Sequence, residues 1–173
     1  MNPKFFRFKV GKAKATAVYP YEEKVRSTLF QFKGCYDYEL KDVFLNYPKP
    51  LLRARFRGFT IIPAPSSDAH NAQRGFNHVQ EMFSCLGLPI LLALKKVGNV
   101  KQTTLDYAQR QSVKERISYV GPKDLSGKKI LLVDDVFTTG ATIKACQALI
   151  EKRHPKTIQI LVMSKTIDLR FGG

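Results

Sequence analysis

A chain of 173 residues, 44% hydrophobic and 25% charged, is long enough to bury one real core and leaves little room for a second domain. Its longest apolar stretch, Leu86 to Leu94, is broken by Gly87 and Pro89, and Met1-Asn2-Pro3-Lys4 lacks the apolar core of a secretory signal; no membrane insertion and a cytoplasmic location are expected. Twenty-nine Lys and Arg against 14 Asp and Glu leave a net charge of +15, which points to an anionic partner, either a phosphorylated small molecule or nucleic acid.

Residues 4–20 alternate loosely in two pieces, Phe5–Val10 and Ala13–Tyr19, around Gly11-Lys12, which predicts a small hairpin. Pro20 can open a helix at its first position, with Glu22 and Glu23 where the dipole favours acids. Val25, Leu29 and Phe32 follow at helical spacing, and Gly34 ends the run. A weaker helix is expected from Tyr38 to Asn46, before Pro48 and Pro50. Residues 1–58 carry thirteen basic and five acidic side chains and close on Arg53, Arg55 and Arg57. That excess reads equally as a surface for an anion and as a solvated basic face.

From Phe59 the pattern changes to short apolar runs between amphipathic helices. Phe59–Ile62 reads as a buried strand ended by Pro63 and Pro65, and Val79, Met82, Phe83 and Leu86 give the next helix its apolar stripe. Ile90–Leu94 is a second strand candidate. Residues 97–116 are polar, with Lys101, Arg110, Lys114 and Arg116 and little periodicity, and read as a mobile loop running into a short helix. Lys129–Val133 is a third strand, Ala141–Arg153 a helix and Thr157–Met163 a fourth strand. Continuous apolar strands alternating with helices predict an α/β fold, a mainly parallel sheet flanked by helices. The expected organisation is a core over 59–173 and an N-terminal basic extension over 1–58, hairpin plus helices, packed on it.

Cys35, Cys85 and Cys146 are widely separated and form no C-x-x-C pair, so neither a zinc ribbon nor a disulfide framework is indicated. Cys146 falls on the apolar side of its helix with Ile143, Leu149 and Ile150 and reads as core. Cys85 reads the same way. His78 begins a helix and His154 ends one, and neither residue's context assigns it a role. His70 could contact an anion, although a lone loop histidine is ordinarily just exposed.

The chemistry concentrates in Lys129-Ile-Leu-Leu-Val-Asp134-Asp135-Val-Phe-Thr138-Thr139-Gly140-Ala141-Thr142. An apolar strand delivers two adjacent carboxylates to its carboxyl end, where open α/β sheets bind ligands. A small-residue turn follows, and a helix begins on its far side. Backbone N–H groups there point at an anion, the dipole favours its charge, and Gly140 lets the backbone approach. Thr138, Thr139 and Thr142 add hydroxyl donors, which suits a phosphate monoester. Two carboxylates beside a phosphate repel it, so Asp134 and Asp135 accept hydrogen bonds from sugar hydroxyls or hold a cation. The bland alternative is a capped strand–turn–helix with a solvent-facing acid pair. Arg74 could reach the same anion from the loop after the first strand, or pair locally with Glu81.

The full string, from apolar strand through two acids to Thr-Thr-Gly-Ala-Thr, resembles the phosphoribosyl-pyrophosphate (PRPP) signature of type I phosphoribosyltransferases at every position. Pro63-Ala-Pro65 with Arg74-Gly75-Phe76-Asn77 is similar to segments of the ComF competence-protein family, called amidophosphoribosyltransferase-like, as is Lys33-Gly34 after the first helix. A glutamine and an arginine upstream of the loop are typical of that family; Gln102 with Arg110, or Gln109 with Arg116, would each serve. The likeness covers about residues 18–165. The four-cysteine zinc ribbon that commonly begins such proteins has no counterpart in these residues, and Ser66-Ser67-Asp-Ala-His70 lacks the arginines often found there.

The resemblance implies a type I phosphoribosyltransferase-like core with a flexible hood loop. It implies a nucleophile attacking the anomeric carbon of PRPP as magnesium pyrophosphate leaves. Asp134 and Asp135 would be the catalytic acids holding the ribose hydroxyls, and Thr138, Thr139, Gly140, Ala141 and Thr142 would hold the 5-phosphate. Ser66, Ser67 and Arg74 would meet the pyrophosphate, with Lys101, Arg110 and Arg116 in the hood loop. Mg²⁺ would come in through PRPP, without direct protein ligands. Thr138 stands where purine-salvage relatives place an aspartate, which argues against 6-oxopurine salvage. The rival implication is a non-catalytic competence module that binds PRPP or single-stranded DNA, with a competence helicase or ATPase as a further partner. Tyr19, Tyr21, Phe30, Phe32, Tyr36 and Tyr38 lie among the N-terminal charges that such a role needs.

Overall fold

The computed structural model describes residues 2–34, 38–66, 75–97 and 116–166. In chain order the elements are β1 (Phe6–Val10), β2 (Ala13–Pro20), α1 (Glu23–Gly34), a 3-10 turn (Tyr38–Asp42), α2 (Lys49–Arg55), β3 (Phe59–Pro63), α3 (His78–Ser84), β4 (Leu94–Val97), β5 (Arg116–Tyr119), β6 (Lys129–Phe137), α4 (Ala141–Glu151) and β7 (Thr157–Lys165). Among the described residues the main sheet runs β1-β2-β7-β6-β3, with β4-β5 as a separate antiparallel ribbon. All neighbours in the main sheet are parallel except β1 and β2.

The central strands are apolar at successive positions because both faces are covered, and side chains alternate between those faces. Ile61, Leu131, Val133, Leu161 and Met163 pack with Leu29, Phe32, Val79, Met82 and Phe83 from α1 and α3. Their neighbours Ile62, Ile130, Leu132, Ile160 and Val162 point the other way, onto Ile143, Cys146 and Ile150 of α4. The N-terminal hairpin joins this same sheet: β2 runs parallel to β7, from Lys14 opposite Gln159 to Pro20 opposite Lys165. Its Val18 enters the α1 side and its Ala15 and Ala17 the α4 side.

The structure corrects several expectations. The helix expected over Tyr38–Asn46 is only a 3-10 turn, Tyr38–Asp42, while a helix absent from the sequence reading forms at Lys49–Arg55. Pro48 and Pro50 open that helix, since first-turn N–H groups have no intrahelical partner to lose. Ile90–Leu94 is no full strand: Ile90 makes a single parallel bridge to Ile61, and the chain then turns into β4. The hood-loop residues Lys101 and Arg110 lie outside the described residues. Arg116 opens β5 opposite Val97, where the sequence suggested the approach to a short helix.

Candidate functional site

β6 continues past the end of its neighbour. β3 pairs with it only to Pro63 opposite Val133, whereas on the β7 side β6 stays paired to Phe137 opposite Lys165. The acids therefore lie within the strand, at the point where one flank opens. The chain leaving β3 turns to α3 on one face, and the chain leaving β6 turns to α4 on the other. Where adjacent strands send their connections to opposite faces, a crevice opens at the carboxyl edge, the usual ligand position in open α/β sheets.

The strand alternation separates the two carboxylates. Asp135 follows Val133 toward the α1–α3 face, where its Oδ2 accepts from Lys33 Nζ at 2.8 Å and lies 3.2 Å from His78 Nε2. Its Oδ1 accepts from the Val136 N–H at 2.6 Å. Asp134 follows Leu132 toward α4; its Oδ1 accepts the Asp135 N–H at 2.9 Å, and no ion pair reaches it among the described residues. Burial, reinforced by the Asp135 charge, pushes Asp134 up to about 8. Burial alone would raise Asp135 too, but the His78 hydrogen bond and the Lys33 charge outweigh it and hold that carboxyl well below the usual range. Behind them burial pushes the Cys146 thiol up to about 12, an inert core sulfur.

Beyond Phe137 the turn is open to solvent at Thr138, Thr139, Ala141 and Thr142, with Gly140 buried beneath. Gly140 has φ 73°, and a Cβ on it would meet the Phe137 ring at 2.5 Å. Only glycine fits, because both the left-handed backbone and the ring exclude a side chain. The Gly140 carbonyl accepts the Lys144 N–H at 2.9 Å, and the Ala141 N–H donates to Thr139 Oγ1 at 3.3 Å. The first amides of an 11-residue helix thus open onto the crevice beside three hydroxyls. Ser66 is half-buried across the crevice, its Oγ 3.3 Å from His78 Nδ1. Ser67 and Arg74 lie outside the described residues, as do His70, Lys101 and Arg110. Glu81, the alternative partner for Arg74, accepts from the Tyr38 hydroxyl at 2.8 Å.

Lys33 and His78 are the site residues that the sequence reading missed. His78, whose sequence context assigns it no role, is 8% exposed and lies between Ser66 and Asp135. The one available signal for Lys33 was its place beside Gly34 at a helix end. Among the described residues no three His, Cys, Asp or Glu side chains gather as a directly held metal would need. Asp135 already accepts a lysine, a histidine and an amide, so this donor set does not fit a protein-held ion.

Residues 73–168, more than half of the chain, match the phosphoribosyl transferase domain family. This chain belongs to that family. The family's span runs from before α3 through β7 and so contains the acids, the glycine turn and α4. Among curated proteins the chain is 30% identical over 153 residues to Competence protein ComFC of Bacillus subtilis, covering 87% of this chain and 63% of the relative. It is 27% identical over 143 residues to Competence protein ComFC of Streptococcus pneumoniae, covering 83% and 64%. The chain thus spans under two thirds of the length of either relative. Among solved structures, a purine phosphoribosyltransferase from Pyrococcus horikoshii aligns with TM-score 0.45 and 18% identity, covering 73% of this chain and 72% of that one.

Proposed function

We propose that this phosphoribosyl transferase domain binds PRPP with Mg²⁺ and transfers its phosphoribosyl group to an acceptor, releasing pyrophosphate. The observation that carries the reading is the convergence of two unlike subsites on one crevice: a carboxylate pair and a glycine-opened helix start. Exposed amides and hydroxyls at 138–142 suit the 5-phosphate. Ribose hydroxyls are donors and suit the acids. Asp135 has about one of a carboxylate's four acceptor positions left, and Asp134 has more, so each can take a hydroxyl. Ser66 is the described residue assigned to the leaving pyrophosphate, and Ser67 and Arg74 are assigned to it from the sequence alone. In the step itself the acceptor's lone pair forms the new bond to the anomeric carbon. The carbon–oxygen bond to pyrophosphate breaks, and its electron pair leaves with the pyrophosphate. Mg²⁺ would supply charge neutralisation for that leaving group, coming in with the substrate rather than through protein ligands. Lys101, Arg110 and Arg116 stay with the proposal as cations for the same group.

Calorimetry with PRPP and Mg²⁺ tests this reading. Wild type should bind, and the double variant Asp134→Asn/Asp135→Asn should lose binding; equal affinity for both proteins overturns the assignment of the acids. Pyrophosphate release on adding candidate acceptors then separates an enzyme from a binding module.

A role in competence is proposed from the relatives' names; DNA uptake, a cytoplasmic location and a helicase or ATPase partner are proposed from the sequence resemblance alone. No described helix is long and apolar enough to cross a membrane. One observation favours single-stranded DNA as a second ligand. Of the N-terminal aromatics, Tyr19 and Phe32 are core, but Phe30 is 63% exposed and lines a groove along α1 with Tyr21, Arg26 and Lys33. Aromatic faces among cations are what sequence-tolerant strand binding requires.

A further inference from the structure

We propose that the α1 side of the N-terminal hairpin is a docking surface for duplex nucleic acid, which it holds by the phosphates and not by the bases. This surface lies at the β1 edge of the sheet. It shares no residue with the PRPP crevice or with the groove along α1.

Strand alternation and register place its cations. Val18 packs toward α1 while Ala15 and Ala17 point toward α4, so Lys14 and Thr16 share the α1 side. Antiparallel pairing sets Lys9 directly opposite Lys14 and Arg7 opposite Thr16, and such partners share a face. Arg55 comes to the same place from α2, whose Leu52 and Phe56 pack on this side, and its Nη2 donates to Thr16 Oγ1 at 3.3 Å. On the inner flank Lys14 lies opposite Gln159 of β7, and Thr157 carries the row on to Lys129 of β6. Arg7, Lys9, Lys14, Arg55 and Lys129 are all exposed, and among the described residues no ion pair reaches any of them.

A merely solvated basic surface keeps like charges apart, and this one does not. Lysines directly opposite each other on a sheet repel. Burial, and then the Arg7 charge, hold the Arg55 guanidinium below its ordinary value. Guarding an exposed edge accounts for cations on β1. It does not account for Lys14, because β2 is paired on both sides, nor for Arg55, which a helix delivers. The free protein therefore carries an electrostatic strain that a chain of phosphates lying among the cations removes. A duplex presents one negative charge per about 1.7 Å of its axis. Gln159 and Thr157 add side chains of the kind that hydrogen-bond phosphate oxygens. A single strand draws further on open aromatic rings for stacking. The rings beside Arg55 and Lys129, Phe56 and Phe59, are only 1% and 6% exposed.

The test is fluorescence anisotropy of the whole chain with labelled duplex DNA of mixed sequence, repeated across a salt titration. Wild type should bind unrelated sequences alike, with a log–log salt slope of about −0.9 for each phosphate neutralised. Lys9→Gln/Lys14→Gln should bind more weakly at low salt and flatten that slope by about 2, one step for each lysine removed. Its melting temperature should hold or rise, because the change relieves a like-charge pair. Arg7→Gln/Arg55→Gln should flatten the slope equally; if circular dichroism shows that variant unfolded, the lysine pair alone decides. Lys123→Gln/Lys152→Gln removes the same charge from exposed positions on the α4 side and should leave the slope unchanged. An equal loss in that control means net charge alone drives binding, and overturns the proposal. Absence of duplex binding by wild type overturns it, as does a wild-type slope in Lys9→Gln/Lys14→Gln. Binding of single-stranded DNA or of phosphatidylserine vesicles without binding of the duplex overturns it as well.

Discussion

The two faces of the sheet build their halves of the crevice in opposite ways. On the α4 face, Asp134 and the turn at 138–142 come from one contiguous stretch, and a strand running into a helix positions them without help from elsewhere. On the α1–α3 face, Asp135 is met by Lys33 from 102 residues away and His78 from 57 residues away, with Ser66 reached through His78. Adjacent acids consequently live in unlike surroundings: among the described residues one has no ion pair, and the other is compensated twice. The chemistry differs across the sheet while the packing beneath it does not.

Two core substitutions, which carry the largest expected effects, can break the likeness of the packing on the two faces. Leu131 and Leu132 are neighbours in β6, both fully buried, on opposite faces. Leu131→Ala and Leu132→Ala should each cost about 2–5 kcal/mol by denaturant titration, because each deletes packed methyl groups and leaves a cavity. A cost under about 1 kcal/mol on one side only would mean that the face is loosely packed, and the likeness of the two cores would fail.

The contrast also explains what could be read from the sequence. The hairpin, α1, β3, α3, β6, α4 and β7 were legible because period-two and helical patterns are local signals, and so was the glycine turn, from Gly140 and the threonines around it. The parallel sheet followed from runs such as Ile130–Val133, which are apolar at every position. The joining of β2 to β7 was not legible, since strand partners far apart in sequence leave no periodic trace. Lys33 looked like an ordinary basic residue in a helix's last turn, favoured there by the dipole alone. His78 looked like a helix start, and Asn77, whose side chain accepts from the Val79 and Gln80 amides, accounted for the local pattern completely. Pro48 and Pro50 misled in the other direction, because proline both stops and opens helices.

A pH titration sharpens the difference between the acids. Asp134 is raised in the folded protein to about 8, above its unfolded value near 4. In that window the folded state holds the extra proton, so this group's contribution to stability is full below pH 4 and is lost as pH rises toward 8. Asp134→Asn should remove the trend, gaining on wild type by up to about 1.4 kcal/mol per pH unit across it. Asp135 is depressed, so its contribution is present above the unfolded value and is lost only as the solution is acidified below it. Identical stability–pH curves for wild type and Asp134→Asn would show that Asp134 is not held protonated.

The smallest expected effect tests the compensated acid. Lys33 reaches Asp135 at 2.8 Å, but its own side chain is 38% exposed against 13% for the carboxylate. Solvent screens an amine so placed, and its long side chain loses rotamer freedom to hold the pair. Lys33→Met should therefore change stability at neutral pH by less than about 1 kcal/mol. The carboxylate would nevertheless lose one of the two partners that hold it below its usual range, while the burial that pushes it up would remain. Its protonation midpoint, followed by carboxyl ¹³C chemical shift, should move upward in Lys33→Met and return in Lys33→Arg, which restores a cation with a similar reach. The acid limb of the stability curve should shift with it, because the proton that Asp135 resists is the one that acidification forces on. If both midpoints stay in place in Lys33→Met, His78 and the Val136 amide suffice for Asp135, and the lysine is a surface partner without influence on the acid. A large loss of stability at neutral pH would point elsewhere, to a packing role for the methylene stem.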